Sequence, residues 1–432
     1  MSDDVAQGLD WLSAKARAAK CDTIVLAEQG IGEQTRATAL CVGIRAMKPQ
    51  TRILLVGHYD GTMAKFDMAA HARRCAIIDE FIAAPTPGGQ HMERGSLIAT
   101  LRPHCQTLYD AMPIVVREYS RDAAVQAEAD NRIAPYGAIY HGFPFDNWRL
   151  IYASMGWWDY MHETAGVPID AKSLSDDLFC AAPTECSPLP DPDDLPPGKD
   201  VDVLASDSGS DDEAMAVIQD SRPYAVIHSG AGFGSVNKIA PKAVTDAIIR
   251  TLESKGVPCV QVGLDGEQDF RVAYRRKGLR LPLTNRLIQN ALVLVDNEGL
   301  LPYMAQGLAV HAAVLFSVTP YNLYGLPGNL AVVPGLSKWQ AKDKLPDRYK
   351  GLIGHPRRCG NSTCFWGGDG WWTHPNGWCW QCRAPLYGIP NPEWPACINF
   401  PRPRDAADAV WSYVDGLLKA DKVAETAVEA VA

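Results

Sequence analysis

Four groups of residues have the types and spacing that chemistry needs. The first is Gly30-Ile31-Gly32-Glu33, shortly after the apolar run Thr23–Ala27. A carboxylate at such a turn, partly desolvated, can take a proton near neutral pH; an acidic residue opening a helix also answers the helix dipole. The second is the glycine loop from Ser229 and Gly230 to Ser235, with Lys238 behind it. Backbone N–H groups ahead of a helix, joined by a lysine, meet the negative charge of phosphate. The same glycines also suit a tight turn, and a single lysine also suits a solvated surface. The third group, Asp296-Asn297-Glu298-Gly299, follows another apolar run. Asp296 and Glu298 can accept hydrogen bonds from ribose or sugar hydroxyls, or form a polar turn. Gly299 can offer its amide to a phosphate and Thr319 its hydroxyl, although Thr319-Pro320 is also ordinary turn chemistry.

The fourth group is Cys359-x4-Cys364 and, after fourteen intervening residues, Cys379-x2-Cys382, with Cys397 beyond. Two such pairs can donate four thiolates to a tetrahedral structural zinc, with His374 as a substitute ligand; buried free thiols are the alternative. Residues 136–160 are rich in aromatic side chains, including Tyr140, Phe143, Trp148 and Trp157, with His141 among them. Such faces stack on sugars and bases or fill a core.

The elements that must position these groups follow from hydrophobic patterning. Residues Asp4–Ala19 repeat apolar positions at helical spacing, Thr23–Ala27 and Arg52–Val56 read as buried strands, and a helix to about Met47 lies between them. The pattern continues through Ala76–Ile78 and Pro113–Val116. Continuous Val/Ile/Leu runs of this kind predict a parallel sheet. Residues 182–214, rich in Pro, Asp and Ser, read as an exposed linker or loop. Afterwards the rhythm restarts with strands at Tyr224–His228, Pro258–Gly263, Ala291–Val295 and Ala312–Phe316, and a helix at Pro241–Lys255. A helix from Arg404 to Lys419 and an Ala/Val/Glu-rich end expected to fray close the chain.

The expected fold class is therefore α/β, with two Rossmann-like parallel-sheet domains facing a central cleft and a Cys/Trp-rich insertion near the C-terminus. The domains are expected at 1–181 and 215–403, the second including the Cys-rich segment 355–400, with a helix and tail at 404–432. Open parallel sheets bind ligands beyond the carboxyl ends of their strands, so both glycine loops should face the cleft. A chain of 432 residues suits two domains. A net charge of -9 argues against non-specific coating of nucleic acid. No leader is apparent at Met1-Ser2-Asp3-Asp4, and the apolar stretch Gly307–Val318 is too short to span a bilayer, so a cytoplasmic location is expected. There the 12 cysteines should be thiols or metal ligands rather than disulfides.

Taken in order along the chain, these blocks resemble the heptosyltransferase family, family 9 of the glycosyltransferases, whose members adopt the GT-B fold. The resemblance rests on Gly30-Ile31-Gly32-Glu33, Ile227-His228-Ser229-Gly230-Ala231 with Lys238-Ile239-Ala240-Pro241, Asp296-Asn297-Glu298-Gly299 with Tyr303-Met304-Ala305, and the strand ending at Thr319-Pro320. Glu33 stands where the family has Asp, Tyr303 where it has His, and the third block is one residue longer. The resemblance implies inverting, metal-independent transfer of a sugar from a nucleotide-sugar donor to a hydroxyl acceptor, with a saccharide or lipopolysaccharide-type acceptor expected. Glu33 is then the base; Ser229, Gly230, Lys238, Glu267, Asp296, Glu298, Gly299 and Thr319 hold the donor; Gly32, His141 and Trp148 face the acceptor. Hydroxymethylated DNA bases or protein are alternative acceptors, and a non-catalytic binding protein on the same fold is the alternative of another class. An epimerase or dehydrogenase is disfavoured, because the dinucleotide glycine fingerprint is absent after the first strand.

Overall fold

The computed structural model describes residues 3–27, 31–58, 63–86, 92, 94–111, 116–120, 223–230, 239–316, 326, 328–332 and 403–429. Elements are numbered along these residues. Five strands form the first sheet: β1 (Thr23–Ala27), β2 (Ile53–His58), β3 (Glu80–Ala84), β4 (Thr107–Ala111) and β5 (Val116–Ser120). Their spatial order is β3-β2-β1-β4-β5, parallel throughout except for the antiparallel β4–β5 pair. Six strands form the second sheet: β6 (Ala225–Ile227), β7 (Cys259–Gln261), β8 (Tyr274–Arg275), β9 (Val293–Asn297), β10 (Ala312–Leu315) and β11 (Leu330–Val332). Their order is β11-β10-β9-β6-β7-β8, all parallel.

The strands are short, and β1 is buried along its full length, because helices cover both faces. Alternation sends Ile24 and Leu26 to one side, where α1 (Asp3–Ala19) and α4 (Arg94–Leu101) contribute Leu12, Ala16, Leu97 and Leu101. Val25 and Ala27 point to the opposite side, against α2 (Ile31–Met47) and α3 (Met63–Arg74), which supply Leu40, Ile44, Met68 and Ala72. In the second sheet, Ala225 and Ile227 face α5 (Lys242–Ser254) and the first half of α8 (Pro403–Glu429), through Val244, Ile248, Val410 and Val414. Val226 and Leu294 face α6 (Leu281–Gln289) and α7 (Leu300–Gly307).

The two inner faces share one apolar cluster, which runs from Val25 and Leu40 through Met68 and Leu287 to Met304 and Val314. Here α2 packs on α7 and α3 on α6. A two-pronged ion pair crosses the same boundary. Arg280, which caps α6, donates through Nε to Asp67 of α3 at 3.3 Å and through a second nitrogen to the other carboxylate oxygen. Asp67 is fully buried.

Several sequence expectations are corrected. Ala76–Ile78 is a turn rather than a strand: Cys75 and Ile78 donate backbone bonds to Ala72 and Cys75 at the end of α3, and the neighbouring strand is Glu80–Ala84. The apolar run marks burial of Ile78 against the core, not extension. Of Pro113–Val116, only Val116 is described, at the start of an antiparallel strand. The terminal helix α8 extends to Glu429, beyond the Lys419 expected from the sequence. The linker 182–214 and the Cys/Trp-rich segment lie outside the described residues. Among the described residues no helix is long and apolar enough to cross a membrane.

Removing one partner of a buried ion pair strands a charge at a cost of about 3–5 kcal/mol. Asp67→Ala is therefore expected to lower stability by about that amount in urea unfolding. The double substitution Asp67→Leu/Arg280→Met, which removes both charges, is expected to recover much of the loss.

Candidate functional site

Three adjacent parallel strands, β9, β6 and β7, deliver a chain of ionisable groups to the carboxyl-end edge of the second sheet. Asp296 lies within β9, His228 directly follows β6, and Glu267 sits in the segment after β7. The His228 Nδ1 is 2.6 Å from the Asp296 carboxylate and its Nε2 is 3.3 Å from Glu267 Oε2. Asp296 is buried and Glu267 partly exposed, so the chain runs outward from the core.

Each carboxylate is also fixed from the backbone. The amide of Asn297 donates to Asp296 at 2.6 Å, and that of Leu264 to Glu267 at 3.1 Å. Lys277 donates through Nζ to the carbonyls of Asp265 and Glu267 and to the Asp269 carboxylate, which ties down the segment carrying Glu267. Asn297 accepts from the amide of Ala240 and donates to the carbonyl of Gly230, so it joins both ends of the glycine loop.

Glycine leaves room for the Glu267 carboxylate at two of these positions. A methyl group on Gly230 would lie 2.0 Å from Glu267 Oε1, and one on Gly263 would lie 2.1 Å from Oε2. Gly263 also has a φ of +133°, which side chains other than hydrogen rarely tolerate. The Glu267 carboxylate thus rests directly on two backbone turns.

The protonation states follow from this packing. Burial alone would push the His228 pKa down, but Asp296 and Glu267, one at each ring nitrogen, push it up to about 10. A neutral imidazole carries one N–H, so the proton that serves both carboxylates makes it a cation. Burial would raise Glu267, yet the bond and charge of His228 hold it below the usual carboxylate range. Burial raises Asp296, and the His228 cation opposes that effect.

The first sheet meets this edge through its own carboxyl end. Gly32, in the opening turn of α2, faces the opening turn of α7, where a methyl group on it would lie in ordinary contact, 3.7 Å from the backbone nitrogen of Leu300. Gly299 is the N-cap of α7. Two helix N-termini, each a partial positive charge with unsatisfied N–H groups, therefore converge beside the Asp296 strand. The arrangement can bind an anion at the helix ends and hydroxyls at the carboxylates. The buried Ser229 hydroxyl, between His228 and Gly230, has no hydrogen-bond partner of its own among the described residues.

Of the residues singled out from the sequence, Ser229, Gly230, Glu267, Asp296, Glu298 and Gly299 come together along this edge, with Gly32 opposite. Glu33 lies in the first turn of α2, next to Gly32, and its side chain is not described. Lys238, Thr319, His141, Trp148 and the cysteines Cys359, Cys364, Cys379 and Cys382 lie outside the described residues. Sequence reasoning missed His228, Asn297 and Lys277. The one signal for His228 was its place between a strand and a glycine loop, because its partner Asp296 is 68 positions away.

Two outcomes follow. The folded His228 binds its proton more tightly than an ordinary imidazole at 6.5, so its contribution to stability is full below that value and is lost as pH rises through about 10. Calorimetric melting between these limits should show a falling melting temperature, with a shallower slope in His228→Gln. Separately, Gly263→Ala is expected to cost about 1–3 kcal/mol from backbone strain alone, read by urea unfolding.

No family model matches the chain, and no curated protein matches it. Among solved structures, the chain is similar to a glycosyl transferase of family 9 from Veillonella parvula, at 12% identity and a TM-score of 0.42, covering 77% of this chain and 93% of that one. It is similar to the ADP-heptose lps heptosyltransferase II of E. coli at 16% identity and a TM-score of 0.36, covering 76% and 96%. It is also similar to the dodecameric iron-containing heptosyltransferase TibC, solved in complex with ADP-D-β-D-heptose, at 13% identity and a TM-score of 0.45, covering 92% and 77%.

Proposed function

We propose that the chain is a glycosyltransferase of the GT-B architecture, which moves a sugar from a nucleotide-sugar donor to the hydroxyl of a saccharide-type acceptor with inversion. The observation that carries this reading is the approach of the α2 opening turn, which contains Glu33, to the α7 opening turn beside Asp296. Acceptor chemistry from one sheet and donor chemistry from the other thereby share one edge. In this assignment residues 1–181 form the acceptor lobe and 215–403 the donor lobe. The packing of α8 against α5 adds the terminal helix to the donor lobe.

Glu33 takes the proton of the acceptor hydroxyl as its oxygen attacks the anomeric carbon. The bond from that carbon to the diphosphate oxygen breaks, and the diphosphate leaves with the electron pair. The departing charge needs donors already in place. The N-terminal amides of α7 from Gly299 onward, the Ser229 hydroxyl, Lys238 and Thr319 are assigned that task. Glu267 and Glu298 receive the donor's hydroxyl groups, and Asp296 supports them from the core. Among the described residues no Asp-x-Asp pair stands at a strand end to carry a metal, and the reaction is proposed to need none.

Glu33→Gln removes the base but keeps the size and polarity of the side chain. It is expected to abolish transfer, measured as release of nucleoside diphosphate from a donor, and to leave nucleotide affinity by calorimetry nearly unchanged. Full activity in this variant removes Glu33 from the mechanism.

A further inference from the structure

We infer that His228 is a positioning residue that fixes the Glu267 carboxylate at the donor-binding edge, with Asp296 as its anchor. The inference rests on the proposed nucleotide-sugar reaction and deepens it. Three observations lead to it.

First, the imidazole is spent on both sides: Nδ1 meets Asp296 at 2.6 Å and Nε2 meets Glu267 at 3.3 Å. Neither nitrogen is left to serve as an acid, a base or a ligand donor. His228 can therefore act on a substrate only through what it holds. Second, only one end of the chain faces outward. Asp296 is 2% exposed, His228 15% and Glu267 19%. Glu267 Oε2 is occupied by His228 and the Leu264 amide. Its Oε1 lies against Gly230 and accepts no hydrogen bond among the described residues. The oxygen left for a ligand hydroxyl is the one the chain aims at the glycine loop.

Third, the segment is held twice over. Lys277 holds the carbonyls of Asp265 and Glu267 and the Asp269 carboxylate, and His228 fixes the Glu267 carboxylate. A buried charge chain of this kind adds little stability over apolar residues of the same volume. Its location at the carboxyl edge of a parallel sheet, where ligands bind, accounts for it better than stability does. A carboxylate preset in the geometry of a bound hydroxyl avoids the ordering cost that a free side chain would incur on binding.

The shapes of the two amide side chains separate this role from a merely structural one. Asparagine places an amide where Nδ1 stands, keeps Asp296 satisfied and falls short of Glu267. Glutamine places an amide where Nε2 stands and still reaches Glu267. Affinities of the full-length protein for ADP, UDP, GDP and CDP would be measured by calorimetry for wild type, His228→Asn, His228→Gln, Glu267→Ala and the double variant His228→Asn/Glu267→Ala.

The diphosphate that binds wild type is expected to bind His228→Asn about tenfold more weakly, the scale of one charged hydrogen bond. His228→Gln should recover most of that loss, and the double variant should bind no more weakly than Glu267→Ala alone. In turnover, His228→Asn should raise KM for the donor and leave kcat within about twofold, as expected when uniform binding is lost.

Wild-type affinity in His228→Asn, or losses that multiply in the double variant, overturns the positioning role and leaves the proposed reaction standing. Failure of wild type to bind any of the four diphosphates overturns the reaction itself, and the inference with it. If His228→Asn does not melt cooperatively, the decision falls to His228→Gln, where a loss as large as that of Glu267→Ala overturns the inference.

Discussion

The apolar layer between the two sheets is the constraint on which the remaining architecture depends. A parallel sheet must be covered on both faces, and here the inner covers, α2 and α3 from the first half and α6 and α7 from the second, cover one another as well. Because the helices follow their strands, packing them together also brings the carboxyl ends of both sheets to a common edge. At Gly32 the α2 opening turn comes within van der Waals range of the α7 opening turn at Leu300. The Asp67–Arg280 pair adds direction to this otherwise non-directional contact. A planar guanidinium grips a carboxylate in one orientation, so α3 and α6 are fixed in register as well as in proximity.

At the edge created in this way, positive and negative features lie side by side. The helix N-termini contribute partial positive charge without an ionisable group. The carboxylates Asp296 and Glu267 would repel a phosphate there if both were uncompensated, and the imidazolium of His228 offsets one of the two charges. One sheet edge can therefore hold anion-binding amides and hydroxyl-binding carboxylates a few ångströms apart. A ligand that combines a diphosphate with polyhydroxyl rings would match this combination.

The strands that were read correctly from the sequence are buried ones: β1, β2, β6, β9 and β10 contain continuous runs of Val, Ile, Leu or Ala, and β7, Cys259-Val260-Gln261, lies within the expected Pro258–Gly263. β4 and β8 escaped notice through their composition, whereas β3 and β11 were missed although they carry the apolar runs Phe81–Ala84 and Leu330–Val332. β4 is Thr107-Leu108-Tyr109-Asp110-Ala111 and β8 is only Tyr274-Arg275, edge or near-edge segments with little apolar signature. Ala76–Ile78 misled for the converse reason, since a buried turn leaves the same apolar trace as a buried strand. The resemblance to family 9 glycosyltransferases located Asp296, Glu267 and Ser229 near one another, but it gave them only ligands as partners.

What the sequence determined by itself was the succession of strands and helices, the doubly covered parallel sheets and the strand ends at which chemistry could be placed. These depend on local periodicity and on glycine positions, which a linear reading contains. The tertiary structure decided that His228 stands between Asp296 and Glu267, that Arg280 pairs with Asp67 and that α2 and α7 begin beside one another. Each of these depends on strand order and on the packing of one sheet against the other. No periodicity along the chain records which residues tens or hundreds of positions apart become neighbours.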